Sequence, residues 1–194
     1  MAAPLPRVIT IPLTLWAVLA LIAGGAGWLG PLQPPVPQLL LAGLTVALLV
    51  LGQAVSAYRT WRETVDLRVF VALHVTRFVG VFFLILYRRG ELPFAFAVPG
   101  GVGDILVAIG AVVLLLVGAP TTSARLSGYR IWNVLGLIDI LFVVATAARL
   151  AFTNPGSMQS LLVLPLSILP TFLVPLIIAT HIWLFGRLRS AAAS

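Results

Sequence analysis

The sequence predicts an all-α, polytopic membrane protein: a bundle of six transmembrane helices with the N and C termini both cytoplasmic. Three observations predict it. Of the 194 residues, 61% are hydrophobic and only 9% charged, with a mean hydropathy of +1.14, whereas a soluble domain carries about 25% charged residues. The apolar residues gather into six blocks, each close to the roughly 20 residues a helix needs to cross the hydrocarbon core. The segments between the blocks are short and turn-like, so the chain reads as a single transmembrane domain over residues 1–194.

The first block covers about 8–29, behind Arg7. It outlasts the apolar region of a signal peptide and ends at Trp28 without a small-x-small cleavage site, so it is read as a span. Its AGGAGW stretch suits close helix contact, within the bundle or between copies in a homo-oligomer. GPLQPP at 30–35 is a turn, and the second block runs over 36–56. The third, 67–87, contains LHVTRFVG and ends at RRGE. The fourth, 93–118, contains VPGGVGDIL, and the turn-like GAPTTSARLSG follows it. The fifth, 131–152, opens on WNVLGLID; TNPGS then leads into the sixth, 158–185, which carries Pro165, Pro170 and Pro175.

Orientation follows from arginine, since lysine is absent. With the N-terminus inside, Arg7, Arg59, Arg62, Arg68, Arg125, Arg130, Arg187 and Arg189 share the cytoplasmic face, while Arg88, Arg89 and Arg149 lie on the other and Arg77 within the membrane. That asymmetry satisfies the positive-inside rule. Trp28, Tyr58, Trp61, Tyr87, Tyr129, Trp132 and Trp183 fall near span ends, as interfacial anchors do.

A formal charge of +7 and a pI near 11.5 would suggest nucleic-acid binding in a soluble chain. Here the arginines flank apolar blocks, so no nucleic-acid partner is expected; the expected partners are the lipid bilayer and a small solute, proton or cation. Cysteine is absent, which excludes disulfides, thiol nucleophiles and thiolate metal sites. With only His74 and His181 as imidazoles, no metal site is expected.

Depth organises the ionisable residues. At about 1.5 Å per residue, Arg77, Asp104 and Asp139 on three successive spans fall within roughly 5 Å of one plane near mid-membrane. A charge there costs on the order of 2.5–3.5 kcal/mol, so the three should face inward and pair. Two carboxylates against one guanidinium leave a negative charge uncompensated. His74 precedes Arg77 by one helical turn on the same face and is the titrating group that could balance it. In the sixth span Ser167, Thr171, Val174, Ile178 and His181 form a stripe on one face, with His181 placed roughly 15 Å toward the cytoplasm. Asn133 sits in the cytoplasmic half of the fifth span, and Gly136 permits close approach of a neighbour. Gly100, Gly101, Asp104, Ala108 and Ala111 share one side of the fourth, suited to tight packing or, with Pro99, to an interrupted helix that exposes backbone to a ligand.

Gly101-Val102-Gly103-Asp104 resembles the GxGD motif of intramembrane aspartyl peptidases, over about a dozen residues. That resemblance implies an enzyme with Asp104 and a second aspartate, Asp139 or Asp66, as acid and base. In that group the partner aspartate precedes the GxGD helix, whereas Asp139 follows it. Arg77 on the same level favours ionising both acids, which opposes the shared proton such a dyad needs. HVTR, LPFAFAVPGGVGD and WNVLGLID together resemble uncharacterised six-span bacterial membrane proteins, which implies the architecture and a bacterial cytoplasmic (inner) membrane location without a biochemistry.

The functional expectation is a small proton- or cation-linked carrier or ligand-binding protein, with enzymatic activity left open. Asp104 and Asp139 would bear the binding site, with Arg77 the internal counter-charge, His74 the titrating group, and Asn133, Thr171 and His181 an access path. The alternatives are the membrane-embedded enzyme and a structural or assembly protein whose charges only hold the bundle together. No cofactor is expected; a haem between His74 and His181 is the alternative, against which stands a vertical gap near 10 Å between them.

Overall fold

A computed structural model describes residues 6–190. Within them the chain is helical and has no strand. Six helical stretches are long and apolar enough to cross a membrane, with mean hydropathies from 1.7 to 2.4. They are α1 (Arg7–Gly25), α2 (Val36–Ala54), a third built from α4 (Leu67–Leu73), a 3₁₀ turn (His74–Val79) and α5 (Gly80–Arg88), then α6 (Phe94–Val117), α7 (Ser123–Thr153), and a sixth built from a π turn (Leu169–Leu173) and α8 (Val174–Ser190). A short helix, α3 (Ser56–Thr64), follows α2 and carries Tyr58, Arg59, Trp61 and Arg62.

Three boundaries differ from the sequence expectation. Residues 56–64, read partly as span and partly as loop, form α3, whose polar and apolar residues separate at helical spacing. The fifth span begins at Ser123, about two turns before residue 131, because nothing between 123 and 131 breaks a helix. The sixth begins at Leu169 rather than 158. Residues Pro155–Leu162 form a 3₁₀ turn and Val163 is extended; beyond them Pro165 and Pro170 lack the N–H groups a regular helix would use.

The described chain comprises two compact units. One contains residues up to Thr64 together with Leu150–Ala179. In it the Trp16 indole N–H donates to the Thr171 carbonyl at 2.8 Å. Pro175 lies four residues beyond Thr171 and has no N–H to offer that carbonyl, so the tryptophan supplies the missing donor. Trp16 also meets Phe172 edge-on at 5.0 Å, and the Gln159 amide donates to the Gly30 carbonyl at 2.6 Å.

The other unit, Val65–Arg149 with the residues from Thr180 onward, holds most of the ionisable side chains. Asp66 caps α4, its carboxylate accepting from the Arg68 backbone N–H at 2.9 Å. The turn from α5 to α6 depends on Gly90, whose φ of +73° admits the pair of closing bonds from Gly90 N to Tyr87 O and from Glu91 N to Leu86 O. Along α6, Phe96, Ala97, Gly100, Gly101, Asp104, Val107, Ala108, Ala111 and Leu114 are buried, a face at three-four spacing. Leu106, Ile109, Val113 and Leu116 on the other side are exposed. An outward apolar face of this kind suits contact with lipid tails. α6 continues unbroken through Pro99 and the glycines, so of the two readings of VPGGVGDIL, tight packing is the one realised.

Candidate functional site

The break in the third span is where its chemistry lies. His74–Val79 winds as 3₁₀, three residues per turn, so His74 and Arg77 project in register from one side of the helix. The neighbouring backbone comes close at this point. A Cβ on Gly101 would lie 2.7 Å from the Gly80 carbonyl oxygen, and one on Gly80 would be 2.9 Å from the Asp104 Cβ. Only glycine permits that approach at either position.

Arg77, at 1% exposure, then reaches both acids. Its Nε donates to Asp104 Oδ1 at 2.6 Å, its Nη1 to the Gly136 carbonyl at 2.9 Å, and its Nη2 to Asp139 Oδ2. The three residues placed by depth on one plane are thus in direct contact. A guanidinium's planar fork suits this arrangement, since it can serve two carboxylates and a carbonyl at once. The two acids are not equivalent. The Asp104 side chain is 4% exposed and the Asp139 side chain 18%. A Cβ on Gly103 would fall within the Asp139 carboxylate, so this second glycine of the GxGD stretch leaves the space in which the accessible acid lies.

The carboxylates bond separate nitrogens of one guanidinium, whereas an aspartyl dyad holds a proton between two carboxyls. Asp66 is elsewhere, capping α4 and paired with Arg68 at 2.6 Å. That arginine's hydrogen bond holds the Asp66 carboxyl below its usual range.

The histidines form a second group. His74 and His181 are fully buried, with ring centroids 4.1 Å apart and planes tilted by 47°. The expected vertical gap between them does not exist. With the sixth span running over Leu169–Ser190, His181 lies within about one turn of its middle. Ring contact at 4.1 Å also leaves no room for a macrocycle between the imidazoles, so the geometry does not fit an axial haem pair. Trp132 meets His74 edge-on at 5.0 Å and His181 at 5.6 Å, while its indole N–H donates to the Val107 carbonyl at 2.9 Å.

Asn133 orients His181. Its amide nitrogen donates to the His181 carbonyl at 3.1 Å, and its amide oxygen therefore accepts from His181 Nδ1 at 2.9 Å. His74 Nε2 lies 3.2 Å from the Thr180 hydroxyl. Two buried ring nitrogens, His74 Nδ1 and His181 Nε2, have no hydrogen-bond partner. Gly136 joins the two groups: its carbonyl accepts from Arg77, and a Cβ there would meet His181 Cε1 at 2.6 Å.

The remaining expected site residue is not part of these groups. Thr171 belongs to the other unit and donates its hydroxyl to the Ser167 carbonyl at 2.6 Å. Tyr129, Trp132 and Trp183, read as interfacial anchors, are buried at 0%, 8% and 8% exposure. Nothing in the sequence marks Trp132 or Thr180 for the site, because an aromatic near a span end and a threonine in an apolar helix look the same whichever way they face.

No curated protein and no solved structure matches the chain. Residues 34–189, which include every residue of the charged and histidine groups, match the family described as a domain of unknown function, DUF8737. The chain belongs to that family.

Proposed function

We propose that the protein is a small proton- or cation-linked carrier or ligand-binding protein of a bacterial inner membrane, oriented with both termini in the cytoplasm. The carrying observation is that Arg77 is shared by Asp104 and Asp139, of which Asp139 keeps an accessible edge. With both acids ionised the group has one negative charge more than its guanidinium balances, in surroundings where uncompensated charge is expensive. A proton or cation arriving at Asp139 fills that deficit. Asp104, more deeply buried, anchors Arg77, and Gly136 ties the arginine to the α7 backbone.

The test uses the full chain reconstituted in lipid vesicles containing a pH-sensitive dye. Asp139→Asn should abolish proton uptake driven by an imposed gradient while thermal unfolding in detergent stays close to that of the parent. Uptake equal to the parent's in Asp139→Asn would overturn the reading.

A structural reading has one observation in its favour, namely that three of the arginine's nitrogens already have protein acceptors. It predicts no gradient-driven flux in the parent protein.

A further inference from the structure

The histidine group presents a different deficit from that of the carboxylates. Asn133 has both amide ends committed, so the neutral tautomer of His181 carries its hydrogen on Nδ1 and leaves Nε2 a bare acceptor. At His74, the tautomer that donates from Nε2 to Thr180 leaves Nδ1 bare as well. Both residues are at 0% exposure, and both of these nitrogens lack partners. Leaving a buried acceptor without a donor is unfavourable, so two in contacting rings are unusual for packing alone. Trp132 borders both rings, and its aromatic surface attracts cations.

The missing groups are therefore N–H or O–H donors, and the missing charge next to them is positive. No hydrogen bond joins the two nitrogens, so a proton on one supplies the charge and leaves the other without a donor. Metal ions fit less well: hard cations prefer oxygen ligands, and among the described residues no three His, Asp or Glu side chains gather to hold a metal. A neutral polar solute would supply donors without charge.

We propose that His74, His181 and Trp132 receive a small protonated amine, ammonium or a primary alkylammonium ion. Its N–H groups donate to His181 Nε2 and His74 Nδ1, and its charge offsets the excess of the Asp104–Arg77–Asp139 group. This inference rests on the carrier or ligand-binding reading and names its substrate class. Entry requires the two imidazoles, now in contact, to part by the width of the ion. Asp139, the accessible acid, is the natural first contact for a cation, and Gly136 is the link from the charged group to His181.

The experiment compares ammonium and methylammonium chloride with sodium and potassium chloride at equal ionic strength on the purified full chain. Thermal unfolding and nitrogen NMR of the imidazoles are the readouts, alongside proton uptake in vesicles. Expected with the amines only are a saturable rise in Tm, weakened at least tenfold in His181→Gln and in Asp139→Asn, and a shift of the His181 Nε2 resonance, weakened at least tenfold in Asp139→Asn. If His181→Gln does not fold, His74→Gln and the ion specificity of the parent protein carry the test. Sodium or potassium responses equal to ammonium, or an ammonium response untouched by both histidine substitutions, would overturn the proposal. No ammonium response together with Asp139-dependent proton uptake overturns the amine and leaves the carrier reading standing; the absence of both removes the two together.

Discussion

Two of the spans depart from regular α-helix, and the departures have different causes. In the third, His74–Val79 tightens to 3₁₀ with no proline present; beyond it Gly80 meets Gly101, and Arg77 is aimed at two acids. In the sixth, Leu169–Leu173, which contains Pro170, loosens to a π turn ahead of Pro175, and the carbonyl that Pro175 cannot serve is taken by Trp16. The first irregularity accompanies the placement of charge and the second the loss of backbone donors. A break of the second kind can be repaired by one neighbouring side chain. The first involves side chains from α6, α7 and the third span together.

The largest effect should come from removing the guanidinium. Arg77→Met leaves two carboxylates buried without a counter-charge and should cost about 3–5 kcal/mol, read as loss of Tm or of folded yield in detergent. Adding Asp104→Asn and Asp139→Asn should recover most of it. Little or no recovery would mean that the arginine's hydrogen bond to the Gly136 carbonyl, not its charge, holds the segment. Next comes Gly80→Ala, whose new methyl would meet the Gly101 backbone; an overpacked contact of this sort costs roughly 1–3 kcal/mol. An equally stable Gly80→Ala protein would show that the close approach is dispensable.

The proline break should respond more weakly. Trp16→Phe leaves the Thr171 carbonyl without its donor, at a cost of about 1–3 kcal/mol. In a Pro175→Ala background, where residue 175 regains an N–H, the same substitution should cost less. An unchanged cost in that double-mutant cycle would separate the π turn from the missing donor. The smallest effect belongs to Asp66, an exposed cap whose carboxyl Arg68 holds below its usual range. A lowered carboxyl pKa contributes stability above the unfolded value, near 3.8, and that contribution disappears as pH falls through the folded value. Acid unfolding curves of the parent and Asp66→Asn should therefore diverge at and above about pH 4 and converge below it.

How far the sequence reveals this molecule depends on which force sets each feature. The spans follow from hydropathy, and the meeting of Arg77, Asp104 and Asp139 follows from the cost of charge in lipid, which ties sequence position to depth. Prolines announce the irregular sixth span by their missing N–H groups, though not that its first turns would lie outside the long helix. The 3₁₀ turn at HVTRFV carries no residue that breaks a helix and depends on partners far along the chain. Conversely, VPGGVGDIL has the composition of a break, yet α6 runs through it: its glycines serve close contacts, with Gly101 against Gly80 and Gly103 beside Asp139. The histidine contact is not legible from an apolar block over 158–185; a sixth span that starts at Leu169 brings His181 to the level of His74.

The sixth span is also the most enclosed, with 67% of its apolar window buried against 11% for α2. It follows the other five in chain order, so during synthesis it is the last to leave the ribosome. Until it docks, the Asn133 side chain lacks the imidazole and carbonyl it finally bonds, and His74 lacks Thr180. Before that, those polar groups need water or another partner in place of the ones they finally bond.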